Sequence, residues 1–121
     1  MPALDVRDLA ISVTKSLGFD HIDLERVYFL RSRGSRARYT RARIHGLAKV
    51  WNEALRSAPR YLIEVISERF DNLPHHEKEK VIIHELLHIP KGFSGGFVNH
   101  RSISADRIEQ LHRELCRKNI H

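Results

Sequence analysis

Two histidines and a glutamate stand in the most apolar stretch of the chain, VIIHELLHIP, at residues 81–90. Buried polar side chains without partners cost roughly 1–3 kcal/mol each, so these residues need a compensating interaction. On a helix, His84 and His88 lie one turn apart, and two imidazoles so placed can bind one zinc ion. Glu85 is displaced around the helix and can accept a proton from a water molecule on the zinc. This H-E-x-x-H pattern predicts a zinc site with hydrolytic chemistry.

A catalytic zinc site usually has three protein ligands, so we expect a further ligand outside this helix. His100 is the first choice, because it follows the glycine-rich loop GFSGGFVN, which can fold back toward the helix. Glu109 and Asp106 are the alternatives, since an acidic zinc ligand can come from a downstream helix. The loop does not have the H-E-x-x-H-x-x-G-x-x-H spacing, which would have identified the third ligand directly.

The composition favours a globular protein that occupies the whole chain. Of its 121 residues, 41% are hydrophobic and 30% are charged, which is typical of a folded domain. We expect one domain over residues 1–121. No apolar run approaches the ~20 residues of a membrane span, and the N-terminal stretch MPALDVRDLA lacks a signal-peptide pattern. A cytoplasmic protein without a membrane partner is therefore expected, and the lone Cys116 excludes an intrachain disulfide.

Positive charge is concentrated in the first half of the chain. The net charge is +6, and the first 60 residues carry 12 Lys and Arg against 6 Asp and Glu. Six arginines crowd one stretch, namely Arg31, Arg33, Arg36, Arg38, Arg41 and Arg43. Such a stretch predicts a positive surface on which nucleic acid can bind, although a solvated strand face is the simpler interpretation.

The elements of the first half follow from hydrophobic periodicity. Apolar residues at helical spacing predict a helix over residues 3–17, with Gly18 as its end. The stretches RVYFLR (26–31) and RARYTRARIH (36–45) are typical of strands, and the turn signal SRGS between them predicts a hairpin. The arginine-rich stretch would lie on this hairpin.

The second half of the chain predicts mostly helix. A helical stripe runs over residues 47–55, with a strand continuing through Val50 as the alternative. YLIEVIS (61–67) predicts a third strand. Further helices are predicted over residues 74–89, which carry the two histidines, and 105–118. The tyrosines are interpreted as core or sheet residues: Tyr28, Tyr39 and Tyr61.

Three segments resemble a known family. EKEKVIIHELLHIPKGFSGGFVNH, ARIHGLAKVW and YLIEVISERFD are similar to the small metallopeptidases of archaea and their phages, a group distantly similar to SprT-like zinc proteases. The resemblance covers about residues 26–101. It implies an α+β, minimal zincin-like fold, in which a small mixed sheet packs against an active-site helix with N- and C-terminal helices. It also implies His84, Glu85 and His88 as site residues, with His100 as the third ligand.

The residues and the resemblance together predict a zinc-dependent metallopeptidase. Its metal ligands would be His84, His88 and His100, and Glu85 would be the general base in hydrolysis of a peptide or protein substrate. The alternative is a nucleic-acid-binding module that uses the arginine-rich hairpin at residues 31–43 and keeps a structural or vestigial zinc site. The two functions can coexist in one protein.

Overall fold

Five α-helices and three strands make up the fold in a computed structural model that describes residues 1–36, 38–46, 49–56 and 59–119. The helices are α1 (Leu4–Leu17), α2 (Lys49–Leu55), α3 (Ser67–Phe70), α4 (His75–Leu87) and α5 (Ala105–Lys118). The strands are β1 (Val27–Ser32), β2 (Ala42–Gly46) and β3 (Tyr61–Ile66). These five helices and one mixed sheet, in the described residues, confirm the expected α+β class.

The three strands have the order β1-β3-β2. Strand β3 runs parallel to β1, from the pair Val27↔Tyr61 to the pair Ser32↔Ile66. It runs antiparallel to β2, with Gly46 opposite Tyr61. Strands β1 and β2 are therefore not neighbours, and the hairpin predicted between residues 26–31 and 36–45 is wrong.

Strand β3 lies in the centre because it is the most apolar of the three. Tyr61, Ile63, Val65 and Ile66 are all buried in it, whereas Leu62 and Glu64, which point to the other face, are partly buried. The strand predicted over residues 36–45 is much shorter than expected, since residues 38–41 form no strand, and position 37 lies outside the described residues. Tyr39 is accordingly 87% exposed and is not the core or sheet residue that we expected.

Helix α1 closes the core on the side of β1. Its apolar stripe, Val6, Ala10 and Val13, is buried, and the helix ends at Gly18, whose left-handed backbone (φ 67°) a glycine adopts without strain. These bounds agree with the predicted helix over residues 3–17.

Helices α4 and α5 complete the layer that covers the sheet: they pack on each other and on α1, and α4 also contacts β2. Helix α4 begins after Pro74 and ends two residues before the predicted limit at position 89, just ahead of Pro90. Helix α5 has the predicted bounds, and the Ser104 hydroxyl caps it by accepting a hydrogen bond from the Arg107 N–H at 3.0 Å. This packing places the end of α4 beside the edge strand β2.

Helix α2 confirms the helix predicted near residues 47–55 and excludes the strand alternative at Val50. Position 47 of the predicted stripe lies outside the described residues. Val50, Trp51 and Leu55 are exposed, so their apolar stripe does not face the core. Within the described residues, none of the helices is both long enough and apolar enough to cross a membrane.

Candidate metal centre

Helix α4 presents two imidazoles on one face. His88 follows the last helical residue but keeps helical backbone angles (φ −70°, ψ −17°), so it remains one turn beyond His84. The two ring centroids lie 5.0 Å apart. The other side of the helix is held in the core by Ile82, Ile83 and Leu86. The orientation of the imidazoles is therefore set by the apolar side of the same helix.

His100 reaches this face from the loop that follows α4. It begins a short 3₁₀ helix, which Asn99 caps by accepting a hydrogen bond from the Arg101 N–H at 3.0 Å. Its ring centroid lies 4.7 Å from that of His84 and 5.4 Å from that of His88. One nitrogen from each of the three imidazoles lies within 4.8 Å of the others. The structure thus brings together the three histidines that the sequence nominated.

The backbone of Val98 orients the His88 ring. The Nδ1 atom of His88 lies 2.9 Å from the Val98 carbonyl oxygen, and the Val98 N–H donates to the His88 carbonyl oxygen at 2.7 Å. Because a carbonyl oxygen only accepts hydrogen bonds, the first contact requires a proton on Nδ1 and leaves the lone pair on Nε2. Metal-binding histidines are commonly held by such a bond to their second nitrogen.

The three imidazoles fit a divalent transition metal. Burial, followed by the neighbouring His88 and His100, lowers the pKa of His84 to about 4, so its ring is neutral at pH 7 and offers a lone pair. The Nε2 atom of His84 and the Nδ1 atom of His100 are 3.4 Å apart. Two ligands bound to one tetrahedral ion at about 2.0–2.1 Å would lie about 3.3 Å apart, which matches this separation.

Glu85 places a buried carboxylate beside the histidines. It is only 7% exposed, and among the described residues its carboxylate has no hydrogen-bond or ion-pair partner. Burial raises its pKa to about 7. A buried, unpartnered carboxylate is costly to stability, and such groups are concentrated at functional sites.

Two cavities meet at these residues. One has a volume of about 540 Å³ and extends along α4 toward α5, and the other, of about 460 Å³, extends along the loop at residues 97–100. Both are lined by Ala42 of the edge strand β2 and by His84, Glu85 and His100. His84, Glu85 and His100 therefore lie where the two cavities meet, and His88 lines the smaller one. The two cavities together form a cleft that passes the site.

The acidic alternatives for the third ligand lie elsewhere. The Glu109 carboxylate lines the larger cavity, but it is 2.9 Å from the Lys80 ammonium group in an ion pair. Asp106 is exposed in the first turn of α5. In the part of the chain that the structure describes, the group of side chains close enough to share one ion contains the three histidines and neither acid.

The six arginines of the basic stretch do not form one free surface. Arg31 makes a bidentate ion pair with Asp5 and a further contact with Asp71 at 3.0 Å. Arg41 and Arg43 contact Glu77 and Glu64, respectively. The other three are exposed, with no ion pair among the described residues: Arg33, Arg36 and Arg38.

Two polar contacts around the site were not anticipated from the sequence. The Tyr61 hydroxyl contacts the glycine-rich loop, and the buried His112 lies 3.1 Å from the Glu79 carboxylate between α4 and α5. The contact of Tyr61 could have been suspected from the sequence, because a tyrosine in a buried strand needs a hydrogen-bond partner for its hydroxyl group. No spacing rule indicated the second, since the partners are 33 residues apart.

Comparison with known proteins places the chain in a family. Neither the curated proteins nor the solved structures give a match. A protein-family model, described as "Putative phage metallopeptidase", matches residues 1–116, which confirms the resemblance noted in the sequence. The description of that family implies a metal ion, and the three histidines can hold one. Since the match covers nearly the whole chain, this protein belongs to the phage metallopeptidase family.

Proposed function

We propose that this protein is a zinc-dependent metallopeptidase with His84, His88 and His100 as metal ligands and Glu85 as the general base. The observation that carries the proposal is the convergence of three imidazoles beside a buried carboxylate in the cleft that the two cavities form. The family description supports the same class of activity.

Zinc is the metal proposed because three imidazole nitrogen ligands with one open position are a donor set of catalytic zinc sites. When bound, zinc would polarise the substrate carbonyl group and lower the pKa of a water molecule. The chain itself prepares the ligands, since the Val98 carbonyl holds His88 in one tautomer and His84 is neutral at pH 7.

Glu85 would move the proton in this reaction. It would accept a proton from the water that attacks the scissile carbonyl and deliver it to the leaving nitrogen. The carboxylate has no competing partner in the described residues, and it lines both arms of the cleft. The carboxylate could therefore reach both the attacking water and the leaving nitrogen of a scissile bond placed near the histidines.

Strand β2 would align the substrate. It is an edge strand, paired with β3 on one side, and Ala42, Arg43 and Ile44 line the smaller cavity. An extended peptide can add to such an edge through backbone hydrogen bonds, with side chains entering neighbouring cavities. The two cavities would then hold residues on the two sides of the scissile bond.

The experiment combines metal analysis with hydrolysis of a peptide library by the purified protein. Glu85→Gln should keep its zinc content but lose activity by about 100-fold or more. Glu77→Gln, which removes the same charge from the lining of the larger cavity, should stay within a few-fold of the parent. If the Glu85→Gln variant contains zinc and keeps full activity, Glu85 is not the general base. If the zinc-loaded parent cleaves no peptide, the protein is not a peptidase.

Nucleic-acid binding is the second candidate function. It is supported by Arg33, Arg36 and Arg38, which are exposed and have no carboxylate partner among the described residues, and by the net charge of +6. Cationic side chains of this kind bind phosphates by releasing counterions, so affinity falls steeply as salt increases. In this function the metal site would have a structural role.

Fluorescence anisotropy with labelled DNA and RNA, measured over a range of salt concentrations, tests this candidate. Replacing the three free arginines by glutamine should reduce both the affinity and the salt dependence. Replacing Arg107, Arg113 and Arg117, which are exposed on α5, is the control with the same loss of charge. Equal weakening by the two triple variants would indicate a general charge effect and would count against a binding surface at residues 33–38.

A further inference from the structure

The loop between His88 and His100 has to hold two parts of the candidate metal site in place. Its 11 residues, 89–99, supply the carbonyl group that orients His88 and lead directly into His100, whose imidazole completes the cluster. Its C-terminal end is tied to α4 by the two hydrogen bonds between His88 and Val98. The tip of the loop, at Gly95 and Gly96, precedes Val98 in the chain and is not held by these two hydrogen bonds. It therefore needs a separate contact to fix its position.

Tyr61 provides this contact. Its hydroxyl group donates a hydrogen bond to the Gly96 carbonyl oxygen at 2.8 Å and accepts one from the Gly95 N–H at 2.9 Å. Tyr61 is the first residue of the central strand β3 and is only 1% exposed. Two backbone groups of the loop are thus fixed to a buried residue at the start of the central strand.

Aromatic packing surrounds this contact. The Tyr61 ring meets the rings of Phe93 and Phe97 edge-on, with centroid distances of 5.0 and 5.6 Å. Opposite Tyr61 in the sheet stands Gly46, where a Cβ atom would lie only 3.0 Å from the Phe97 ring and 3.3 Å from the Gly95 carbonyl oxygen. The loop therefore fits closely against the paired ends of β2 and β3.

The loop backbone needs this support. Phe93 has φ 46° and Gly95 has φ 92°, and a left-handed conformation at a non-glycine residue persists only where surrounding contacts impose it. Without the Tyr61 hydroxyl, a backbone N–H and a carbonyl group at the tip would lose their partner. The loop would then sample other conformations and would have to be ordered again when the metal binds, which lowers affinity.

We propose that Tyr61 is a positioning residue of the metal centre: by holding Gly95 and Gly96, it places the Val98 carbonyl group and the His100 imidazole for metal binding. The inference rests on the proposed metal site and adds to it a residue that does not touch the metal. Its role is in the affinity and geometry of the site rather than in the chemical step.

Metal titration of the folded protein tests this role. The Tyr61→Phe variant keeps the aromatic packing and removes the two hydrogen bonds. We expect its zinc affinity, measured by competition with a chelator, to fall about 10- to 100-fold. We also expect an altered visible absorption spectrum when the site is filled with Co²⁺. Ile63→Val, a buried change two residues along the same strand, is the control that lowers stability without touching the loop.

A second variant approaches the loop from the other strand. Gly46→Ala would press a methyl group against Phe97 and the Gly95 carbonyl oxygen, and it should also weaken zinc binding while leaving Tyr61 intact. This variant carries the test if Tyr61→Phe does not fold.

The outcomes separate the two proposals. A parent protein that binds no divalent metal overturns the metal site, and this inference with it. A parent that binds zinc, together with a Tyr61→Phe variant that binds it equally well and gives the same Co²⁺ spectrum, overturns the role of Tyr61 alone. Equal losses in Ile63→Val would show that the effect is general destabilisation and would also overturn it.

Discussion

The Nε2 atom of His84 lies 3.4 Å from the Nδ1 atom of His100, although 16 residues separate them in the chain. One of these histidines is held by a helix buried in the core, and the other by a loop fastened at Val98 and Tyr61. A helix and the loop that follows it therefore bring their donor atoms to one place. Each prediction below concerns a contact on which this arrangement or its scaffold depends.

The identity of the third ligand can be tested by comparing three variants. His100→Ala should lower metal affinity by at least about 10- to 100-fold. That loss is already seen when a residue that only hydrogen-bonds to a metal ligand is mutated, and the loss of a ligand itself should be no smaller. Glu109→Gln and Asp106→Asn should bind metal as the parent does, because neither acid belongs to the histidine cluster. Chelator competition measures all three affinities. Normal binding by His100→Ala, with loss in Glu109→Gln, would instead identify the glutamate as the ligand.

Metal binding should stabilise the folded protein. A ligand that binds only the folded state at 100 times its Kd adds about 2.7 kcal/mol to the free energy of unfolding. Thermal unfolding should therefore shift to a higher Tm on addition of zinc and return on addition of a chelator. His88→Ala should abolish the shift, whereas His76→Gln, at an exposed position, should preserve it. An undiminished shift in His88→Ala would mean that zinc binds elsewhere.

Glu64 should make stability depend on pH. Hydrogen bonds from the Ser32 hydroxyl, and then from His45 and Arg43, lower the pKa of this carboxyl group from 4.5 to about 2. A depressed pKa in the folded state means that Glu64 contributes stability above about pH 4.5, and that this contribution is lost as the pH falls toward 2. Glu64→Gln should accordingly reduce the free energy of unfolding at pH 7 by about 1–2 kcal/mol, and by much less near pH 2.

Urea unfolding at the two pH values provides the measurement. Glu25→Gln is the matched control, because Glu25 is exposed and its side chain has no partner among the described residues. A loss of stability in Glu64→Gln that is the same at both pH values would contradict the assignment of the effect to the ionised carboxylate.

The buried contact between Glu79 and His112 should hold α5 against α4. Both residues are about 9% exposed or less, and the His112 Nε2 atom lies 3.1 Å from the carboxylate. Glu79→Ala would remove the carboxylate partner of this buried ring nitrogen and leave only the weak contact with the Cys116 Sγ atom at 3.8 Å. It should therefore reduce the free energy of unfolding by about 1–3 kcal/mol. Glu77→Ala, in the same helix but more exposed, should have a smaller effect.

A double-mutant cycle isolates this contact. Glu79→Ala and His112→Ala should together cost less than the sum of the single changes, with a coupling of about 0.5–3 kcal/mol. Additive effects would mean that the two side chains contribute independently and that the contact does not tie the helices together.

Local features of the fold were predictable from the sequence because they depend on neighbours within a few residues. The spacing of His84 and His88 determines their relation on any helix. The bounds of α5 follow from a serine cap and an amphipathic stripe, and the end of α1 follows from Gly18. The order of the strands was not predictable, because the turn between β1 and β2 indicated a hairpin while the burial of β3 favoured the centre of the sheet.

By itself, the sequence determined the donor types and the H-E-x-x-H geometry of α4, since both follow from residue chemistry and short-range periodicity. The α+β class was implied by the resemblance of the sequence to a known family. Only the tertiary structure decided which distant groups meet. It paired Arg31 with Asp5 and Asp71, left Arg33, Arg36 and Arg38 without an ion pair among the described residues, and fastened the His100 loop to Tyr61. The physical reason is that contacts between residues tens of positions apart depend on how whole elements pack, and spacing along the chain does not encode that packing.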